Sequence, residues 1–520
     1  MSENNFENIP KSKLKFAENL NLSHDSKLDT KPIGFLHDAF RRFCKNKGSI
    51  VAAIIVIILI IFALIGPLFI NSNYTDAYGV DTDLKFYQQL IPKAKIFEGT
   101  GFWDGTAKKE DINRATYYRY LGIQEETGHK VIVSEKKQED GNYYTLRIDT
   151  YKTITGQKKT LMADEYAELI EWQNEHKMQV ILPYVRYGDG YAEMTNDTGV
   201  WYVCDRKGMP KLDNKGNFVP AYYTYASAEG RRDDYPEDAL RLPNDPYLNG
   251  DKEHGWSYAQ RTGNETSGYN YVVRLNMYNY FVFKFGFEPS FVFGTENHGY
   301  DIFTRLASGA RFSMLFAVAV SAVNLFIGAL WGAVSGYYGG KVDLIMERIT
   351  DILASLPTTV ITVLMNLHLS AKVGIIPSLL FAFVLTGWIG MAGTTRMQFY
   401  RYKKQEYVMA ARTLGARDGR LMFKHIFPNA LGTLITSSVL VIPGVIFSET
   451  SLTYLGIINL DSPTRSSVGA MLSAGQGVMT SFPHMVLFPA LFIALLMVSF
   501  NLFGNGLRDA FNPSLRGAEG

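Results

Sequence analysis

The chain has 520 residues and a formal net charge of +2, because 52 Lys and Arg residues offset 50 Asp and Glu residues. This near-neutral balance argues against a global role in nucleic-acid binding. Cys44 and Cys204 are too few for a disulfide scaffold or a cysteine-ligated metal site, and no cofactor is expected. Strongly apolar blocks flank one long polar block, which indicates a mainly α-helical membrane protein with a large water-exposed insertion.

The N-terminal region divides into two parts. Residues 1–30 are polar and predict a disordered cytoplasmic tail. Residues 31–47 predict either an amphipathic helix in the lipid headgroup region or a helical extension of the first span. The apolar members of this pattern are Phe35, Leu36, Phe40 and Phe43, and the basic ones include Arg41, Arg42, Lys45 and Lys47.

The first transmembrane span is predicted at residues 48–72, which contain no charged residue. A helix of about 20 residues, rising ~1.5 Å per residue, crosses a hydrocarbon core of about 30 Å. Because basic residues precede this span, the positive-inside rule predicts a cytoplasmic N-terminal end and an extracellular C-terminal end.

Residues 73–292 form the polar insertion, in which no run is long and apolar enough to span. We expect an extracellular α+β domain here. Alternation of apolar and polar residues at 130–135 and 143–153, around a turn at 138–142, predicts a β-hairpin. The remaining predictions for the insertion are a helix at 163–176 and strands at 178–185 and 200–205.

Residues 293–520 are predicted to form a permease-like core with five more spans. These spans lie at 312–338, 344–369, 373–393, 432–456 and 485–506. Six spans in total place both termini in the cytoplasm, and Ala and Gly in the second span favour close helix packing. Ahead of that span, Asp301 is predicted to cap a short helix that Arg305 and Arg311 anchor at the outer interface.

Three residues within the predicted spans are candidates for a pathway or gate. Asp351 either lines a pathway or pairs with Arg348 at the membrane boundary. Pro357 predicts a kink that shapes a pathway, or one that neighbouring helices simply tolerate. Glu449 would be a costly unpaired carboxylate in hydrocarbon, so it needs a hydrogen-bond partner, water or contact with a polar solute.

The loop at residues 394–430 is strongly basic, so the positive-inside rule predicts that it lies in the cytoplasm. Its apolar spacing and Gly415 predict two short helices joined by a bend. We expect Asp418 to cap the second helix and Pro428 to stop it from continuing into the next span. The alternative interpretation is an ordinary basic loop.

This loop resembles the coupling segment of ABC-importer permeases, in which paired alanines are followed by a glycine and then a proline. The resemblance implies contact with an ATPase subunit through Glu406, Ala410, Ala411, Arg412, Gly415 and Pro428. Met409 stands where the pattern has glutamate and Phe427 where it has leucine, while the spacing is intact.

The spans, and above all residues 293–520, resemble the C-type permease subunit of oligopeptide and dipeptide ABC importers, whereas the insertion is outside the resemblance. The matching motifs include Gly294-Thr295, Gly309-Ala310-Arg311, Gly336 to Gly340, Leu455-Gly456 and Leu507-Arg508-Asp509. The resemblance implies a cell-membrane permease that translocates peptides. It also implies four partners: a second, similar permease subunit, two cytosolic ATPase subunits and an extracellular peptide-binding lipoprotein.

The chain is not expected to be an enzyme, because it lacks a glycine-rich phosphate-binding loop and ATP hydrolysis is expected on the partners. Two other functions compete with peptide import. One is ABC import of a non-peptide solute such as nickel, and the other is a membrane-anchored extracellular receptor or wall-binding protein. One span would suffice for an anchor, so six spans disfavour the receptor.

Overall fold

A computed structural model of the chain describes residues 35–68, 86–138, 143–182, 184–185, 191–193, 201–203, 214, 256–257, 259–264, 266–461 and 466–511. Several predictions concern residues outside these ranges. They are the N-terminal tail, the last residues of the first span, most of the hairpin turn, and Cys204.

Two helices open the described chain. Helix α1 is Phe35–Lys45 and α2 is Lys47–Ile65, separated by Asn46, whose side chain accepts hydrogen bonds from the backbone of Gly48 and Ser49. The Phe43 ring packs edge-on against Phe503 near the end of the chain, at 5.6 Å between centroids. Helices lie where the N-terminal helix and the first span are predicted, the latter as far as Leu68, and α1 lies against the helical bundle.

The first half of the insertion is a small α+β unit. It consists of β1 Thr106–Asn113, α3 Arg114–Thr127, β2 Ile132–Lys137 and β3 Tyr143–Asp149. The antiparallel sheet has the order β1-β3-β2, so the predicted hairpin is confirmed as β2–β3. Ile123 of α3 packs with Leu146 and Ile148 of β3 in the core of this unit.

The second half of the insertion repeats this arrangement with a longer excursion. Its elements are β4 Thr155–Met162, α4 Ala163–His176, β5 Ile181–Leu182, β6 Tyr184–Val185, β7 Tyr191–Glu193, β8 Trp201–Val203, β9 Trp256–Ser257, β10 Ala259–Asn264, β11 Gly268–Asn276 and α5 Met277–Phe285. Strand β11 pairs with β10, β4 and β5, while β6 pairs with β9 and β7 with β8. The predicted helix is confirmed at α4, and the strand predicted at 178–185 is two short strands.

The two halves share detailed geometry. Helices α3 and α4 each have 14 residues, follow an eight-residue strand and end at a residue in the left-handed conformation. The side chain of Gln124 accepts bonds of 3.1 and 3.2 Å from two successive backbone N–H groups, and Gln173 does the same in the second half. The stacked pair Tyr117–Tyr144 also has a counterpart, Tyr166–Tyr271. The insertion therefore contains an internal structural repeat.

The rest of the described chain is a helical bundle. Its helices are α6 Ile302–Tyr338, α7 Gly340–Ala354, α8 Thr358–Val373, α9 Ile375–Gly387, α10 Ile389–Tyr402, α11 Glu406–Thr413, α12 Asp418–Arg420, α13 Phe427–Tyr454, α14 Val468–Gln476 and α15 His484–Phe511. A π-helical turn, Leu421–Ile426, joins α12 to α13. Asp301 acts as a helix cap, as predicted, by accepting from the backbone of Phe303 and Thr304, but the helix it caps is the 37-residue α6 and not a separate short helix.

Among the described residues, five helical stretches are long and apolar enough to cross a membrane. They are Lys47–Leu68, Ile302–Tyr338, Ile375–Tyr402, Asp418–Tyr454 and His484–Phe511. The predicted third span is the pair α7 and α8, which bends by 73° where Pro357 begins the second helix. The count of five, or six with this bent pair, makes the chain a multi-pass membrane protein.

Two predicted boundaries are wrong. The fourth span does not end at residue 393, because α10 continues to Tyr402 and occupies the start of the predicted loop. Pro428 does not separate the second loop helix from the next span, because the π-helical turn leads directly into α13. A proline in the first turn of a helix has no backbone N–H that needs a partner. The wider π-helical turn before it leaves room for the proline ring.

Small residues permit the closest helix contact in the bundle, as the sequence predicts for the second span. Gly332 of α6 faces α10 so closely that a β-carbon there would overlap the carbonyl oxygen of Ala392. Because the two backbones touch, α6 and α10 pack as one unit. This unit supports the loop described next.

Candidate functional site

The predicted coupling segment lies at the end of the bundle opposite the insertion. It consists of α11, a turn, α12 and the π-helical turn. Gly415 has φ +84°, in the left-handed region that glycine adopts without strain. It lies in the turn that separates α11 from α12. The predicted bend at Gly415 and the short first helix are confirmed, whereas the second helix is the start of the continuous helical stretch Asp418–Tyr454.

One face of the segment is buried against α6 and α10. Val408 of α11 is buried, and it packs in one apolar cluster with Tyr337 of α6 and Phe399 of α10. The second helix contributes Leu421, Met422 and Ile426 to the same cluster. The segment is therefore docked on the α6–α10 unit.

The solvent-facing side of the segment exposes large apolar side chains. Leu414 is 88% exposed, although its spacing predicts membership of a buried apolar set. Met409, Tyr407 and Phe423 are also exposed large apolar residues. Clustered exposed apolar side chains mark interaction surfaces on proteins.

The residues of the predicted coupling set fall on this open side or at its edge. Glu406, Ala410, Arg412, Gly415 and Pro428 are exposed, and Ala411 is half-buried. Glu406, Ala410, Ala411 and Arg412 lie on α11 and Gly415 lies in the turn after it. Pro428 is separate, in the first turn of α13.

Two hydrogen bonds tie the segment to the end of α6. The Tyr337 hydroxyl donates to Asp418 at 2.6 Å and accepts from the Arg412 guanidinium at 3.1 Å. The prediction that Asp418 caps its helix is wrong, because Arg417 occupies the cap position without a side-chain bond. The carboxylate is instead directed to α6, which a reading of local sequence could not reveal.

Behind the segment lies a charged network that sequence reasoning did not single out as a site. Asp343 of α7 accepts two bonds of 2.6 Å from the Arg396 guanidinium of α10 and one of 2.6 Å from the Tyr400 hydroxyl. Ser335 of α6 also donates to Asp343. Nearby, the Lys403 ammonium donates to the carbonyl of Gly336 at 2.7 Å. The lone arginine at 396 within an apolar run is the signal that could have indicated this network.

The three pathway candidates are dispersed. Asp351 pairs with Arg348 at 3.2 Å, with both side chains largely exposed, so the predicted pairing is confirmed. Glu449 is fully buried and accepts from the Ser313 hydroxyl at 2.9 Å, which confirms that it needs a partner. Asp351 lies on α7 and Glu449 on α13, and their hydrogen-bond partners are different.

A second buried charge cluster lies at the insertion end of the bundle. Arg305 forms an ion pair of 3.2 Å with Glu296 and another with Asp461, and its guanidinium lies 4.5 Å from the centroid of the Tyr300 ring. The prediction that Arg305 anchors a helix at the membrane interface is wrong, because its side chain is buried within the protein. The cluster joins the segment before α6 to the loop after α13.

A cavity of about 360 Å³ adjoins this cluster. It lies between the turn joining α8 to α9 and the loop after α13, and Asp461 is shared by both features. Its lining residues are Phe312, Val373, Gly374, Ile375, Ile376, Pro377, Asn459, Leu460, Asp461 and Ser466.

Comparison with known proteins accounts for the bundle and not for most of the insertion. The family described as "Binding-protein-dependent transport system inner membrane component" matches residues 325–517. The family described as "N-terminal TM domain of oligopeptide transport permease C" matches residues 34–92. Residues 93–324 lie outside both matches.

Curated relatives agree with this assignment. The oligopeptide transport system permease protein OppC of Bacillus subtilis is 44% identical over 224 residues, which cover 43% of this chain and 72% of the relative. The dipeptide transport system permease protein DppC of the same organism is 38% identical, with 43% and 69% covered. OppC of Escherichia coli is 36% identical, with 44% and 74% covered. The chain therefore belongs to the binding-protein-dependent transport system inner membrane components, as a C-type permease of the oligopeptide and dipeptide ABC importer family.

Proposed function

We propose that this chain is the membrane subunit of an ATP-driven importer and that it forms part of the path by which oligopeptides or dipeptides cross the cell membrane. The observation that carries this proposal is the coupling segment: one face is fixed on the bundle and the other is exposed and apolar. The relatives named as oligopeptide and dipeptide permeases supply the substrate class.

The energy for transport would enter through the exposed face of the coupling segment. Our proposal places Leu414 and Met409 in a groove of an ATPase subunit, with Glu406 and Arg412 at the rim. Movement of that subunit would pass to α6 through the Tyr337 bonds and the buried apolar cluster. Because α6 packs on α10, the two helices would move together, which is a rigid-body route to alternating access.

Charge supports the proposed orientation in the membrane. The coupling segment and the residues just before it carry Lys403, Lys404, Arg412, Arg417, Arg420 and Lys424 against two acidic residues, Glu406 and Asp418. By the positive-inside rule this end lies in the cytoplasm together with both termini. The insertion then lies outside the cell, where a peptide-binding lipoprotein would deliver substrate to it. A similar second permease subunit and a pair of ATPases would complete the importer.

The proposed path is polar and weakly binding, because a peptide carries charged ends and a polar backbone. Pro357 and Asp351 are the gate candidates of this proposal, because they lie at or near the 73° bend between α7 and α8. Glu449 has a structural role, because its carboxylate is buried and accepts a hydrogen bond from Ser313. In this proposal α13, the helix that carries Glu449, lies beside the path.

Two glycines give a matched test of the coupling segment. Gly415→Val forces a β-branched residue into the left-handed region, whereas Gly419 lacks a positive φ and also has open space around it. Gly415→Val is expected to abolish peptide uptake by the reconstituted complex, while Gly419→Val retains most of it. Both variants should reach the membrane in normal amounts, which is measured by surface labelling.

A second variant tests the docking contact directly. Leu414→Asp places a carboxylate where we propose an apolar groove, so the ATPase subunits should no longer co-purify. If the ATPases co-purify and uptake continues in both Gly415→Val and Leu414→Asp, the proposed coupling site is wrong.

A further inference from the structure

One loop of the insertion exposes large apolar side chains. Residues 95–103 begin with a short 3-10 helix, Lys95–Phe97, and Ile96 at its centre is 85% exposed. Phe102 is 65% exposed, and Phe97 also faces outward. Large apolar residues grouped on one loop indicate a surface that is covered in the working protein.

The loop is held in a defined shape. Trp103 has φ +56° and its indole N–H donates to the carbonyl of Val292. The Phe97 ring stacks on Trp103, with centroids 6.0 Å apart and planes 10° apart. The Thr100 hydroxyl donates to the Phe97 carbonyl at 2.7 Å, which closes the turn. Ile96 and Phe102 are therefore presented by a rigid scaffold.

The loop continues directly into the surface of the membrane-spanning bundle. The Trp103 ring lies 5.5 Å from Phe488, in the second turn of α15, and 6.3 Å from Phe293. Phe293 in turn stacks on Phe488 at 4.1 Å. The aromatic side chains thus run from the insertion onto the first turns of a span.

The face of α15 beside this contact is a continuous exposed apolar stripe. Its members recur at three- and four-residue spacing, so they share one side of the helix. They are Leu487, Leu491, Leu495, Val498 and Leu502. Because α15 is long and apolar enough to span, the composition of this stripe suits contact with the hydrocarbon of the bilayer.

From this continuity we infer that residues 95–103 insert into the headgroup region of the leaflet on the insertion's side. Ile96, Phe97 and Phe102 would enter the upper acyl layer, and Lys95 would keep its ammonium among the headgroups. Tryptophan is enriched at this depth because its ring is apolar and its N–H is polar. The bilayer then holds the insertion at a fixed height above the bundle, a role separate from the proposed transport function.

Site-directed spin labelling measures this depth. A nitroxide is placed at Ile96→Cys in the full chain, with Cys44→Ser and Cys204→Ser, and the protein is reconstituted with its partner permease in phosphatidylcholine–phosphatidylglycerol vesicles. Collision with lipid-dissolved oxygen is compared with collision with an aqueous nickel chelate. Leu487→Cys on α15 is the lipid reference, and Val133→Cys, an exposed residue of β2, is the water reference.

We expect the oxygen-to-nickel collision ratio at position 96 to match that at 487 and to exceed that at 133 several-fold. Adding Phe102→Asp should lower the ratio at 96 several-fold, whereas adding Val133→Asp should leave it unchanged. A ratio at 96 equal to that at 133 would show a water-exposed loop and overturn the inference. Suppression of both collisions would show that a protein partner covers the loop, and this would overturn it too.

Discussion

The two ends of the helical bundle hold their charged residues in different ways. At the insertion end, the side chains of Arg305 and Glu296 are 2% and 4% exposed. At the coupling end, Asp343 is 10% exposed, but its partner Arg396 is 31% exposed. The Arg305–Glu296 pair is thus sealed inside the protein, with Asp461, 29% exposed, at its edge, while the Arg396 side of the other cluster opens to its surroundings.

This difference has an energetic consequence. Removing one partner of a sealed ion pair leaves a buried charge without compensation, whereas water can solvate a charge near the surface. Any rearrangement of the insertion end that separates Arg305 from Glu296 is therefore energetically costly. The coupling end is joined to α6 by hydrogen bonds and a buried apolar cluster, and its charged residues lie nearer the surface.

The largest effect is expected from breaking the sealed cluster. Arg305→Met leaves Glu296 buried beside Asp461 with no cation between them, and the free energy of unfolding should fall by about 3–5 kcal/mol. The measurement is denaturant unfolding of the complex in mixed micelles. Arg311→Met, at a half-buried arginine of the same helix, is the matched control and should cost under about 1 kcal/mol. Equal losses in the two variants would contradict the sealed cluster.

A smaller effect is expected at the coupling end. Asp343→Ala removes the acceptor of four hydrogen bonds, but Arg396 can then be hydrated, so we expect a loss of about 2–3 kcal/mol. Asp351→Ala, on the same helix, removes an exposed pair and should cost under about 1 kcal/mol. Unfolding in mixed micelles measures both.

A double-mutant cycle shows whether that loss comes from the pair. Asp343→Ala combined with Arg396→Ala should cost less than the sum of the single changes, because the second removes the charge that the first leaves unpaired. Strict additivity would show that the two residues act independently and would contradict the network.

The spans could be predicted from the sequence because hydrocarbon imposes a length and a composition on any helix that crosses it. The bend at Gly415 was equally readable, since a local glycine in a helical pattern has few other uses. The partners of Arg305, Asp343 and Asp418 could not be predicted. Each pairs with a side chain from a segment distant in sequence, so local rules assigned Arg305 to the interface and Asp418 to a helix cap.

The repeat within the insertion could not be predicted from the sequence for a different reason. What the two halves share is a strand–helix–strand frame with a glutamine that bonds two backbone N–H groups, and few residue identities mark it. In addition, a long excursion separates β5 from β11 in the second half, whereas β2 and β3 are joined by a short turn in the first. A search for repeats of constant length cannot detect such a pair.

The smallest effect is expected at His298, an exposed residue beside the buried Glu296. A change of pH tests how much an exposed charge contributes compared with the buried ones. His298 lies 3.6 Å from Glu296, and its hydrogen bond to that carboxylate raises the pKa of His298 above its ordinary value. A raised pKa means that the stabilising contribution is fully present below the unfolded-state pKa, near about 6.5, and is lost as pH rises through the folded-state value.

Because the His298 side chain is 62% exposed, we expect this contribution to stay under about 1 kcal/mol. The test compares the unfolding free energy of the natural protein with that of His298→Gln at about pH 5.5 and about pH 8.5, on either side of the ordinary histidine pKa. At the lower pH the natural protein should have a larger unfolding free energy than His298→Gln. At the higher pH the two proteins should be equally stable. A difference that instead grows with pH would mean that the neutral imidazole of His298 makes the stabilising contact. His298 would then add no charge to the cluster, and the predicted ion pair with Glu296 would be wrong.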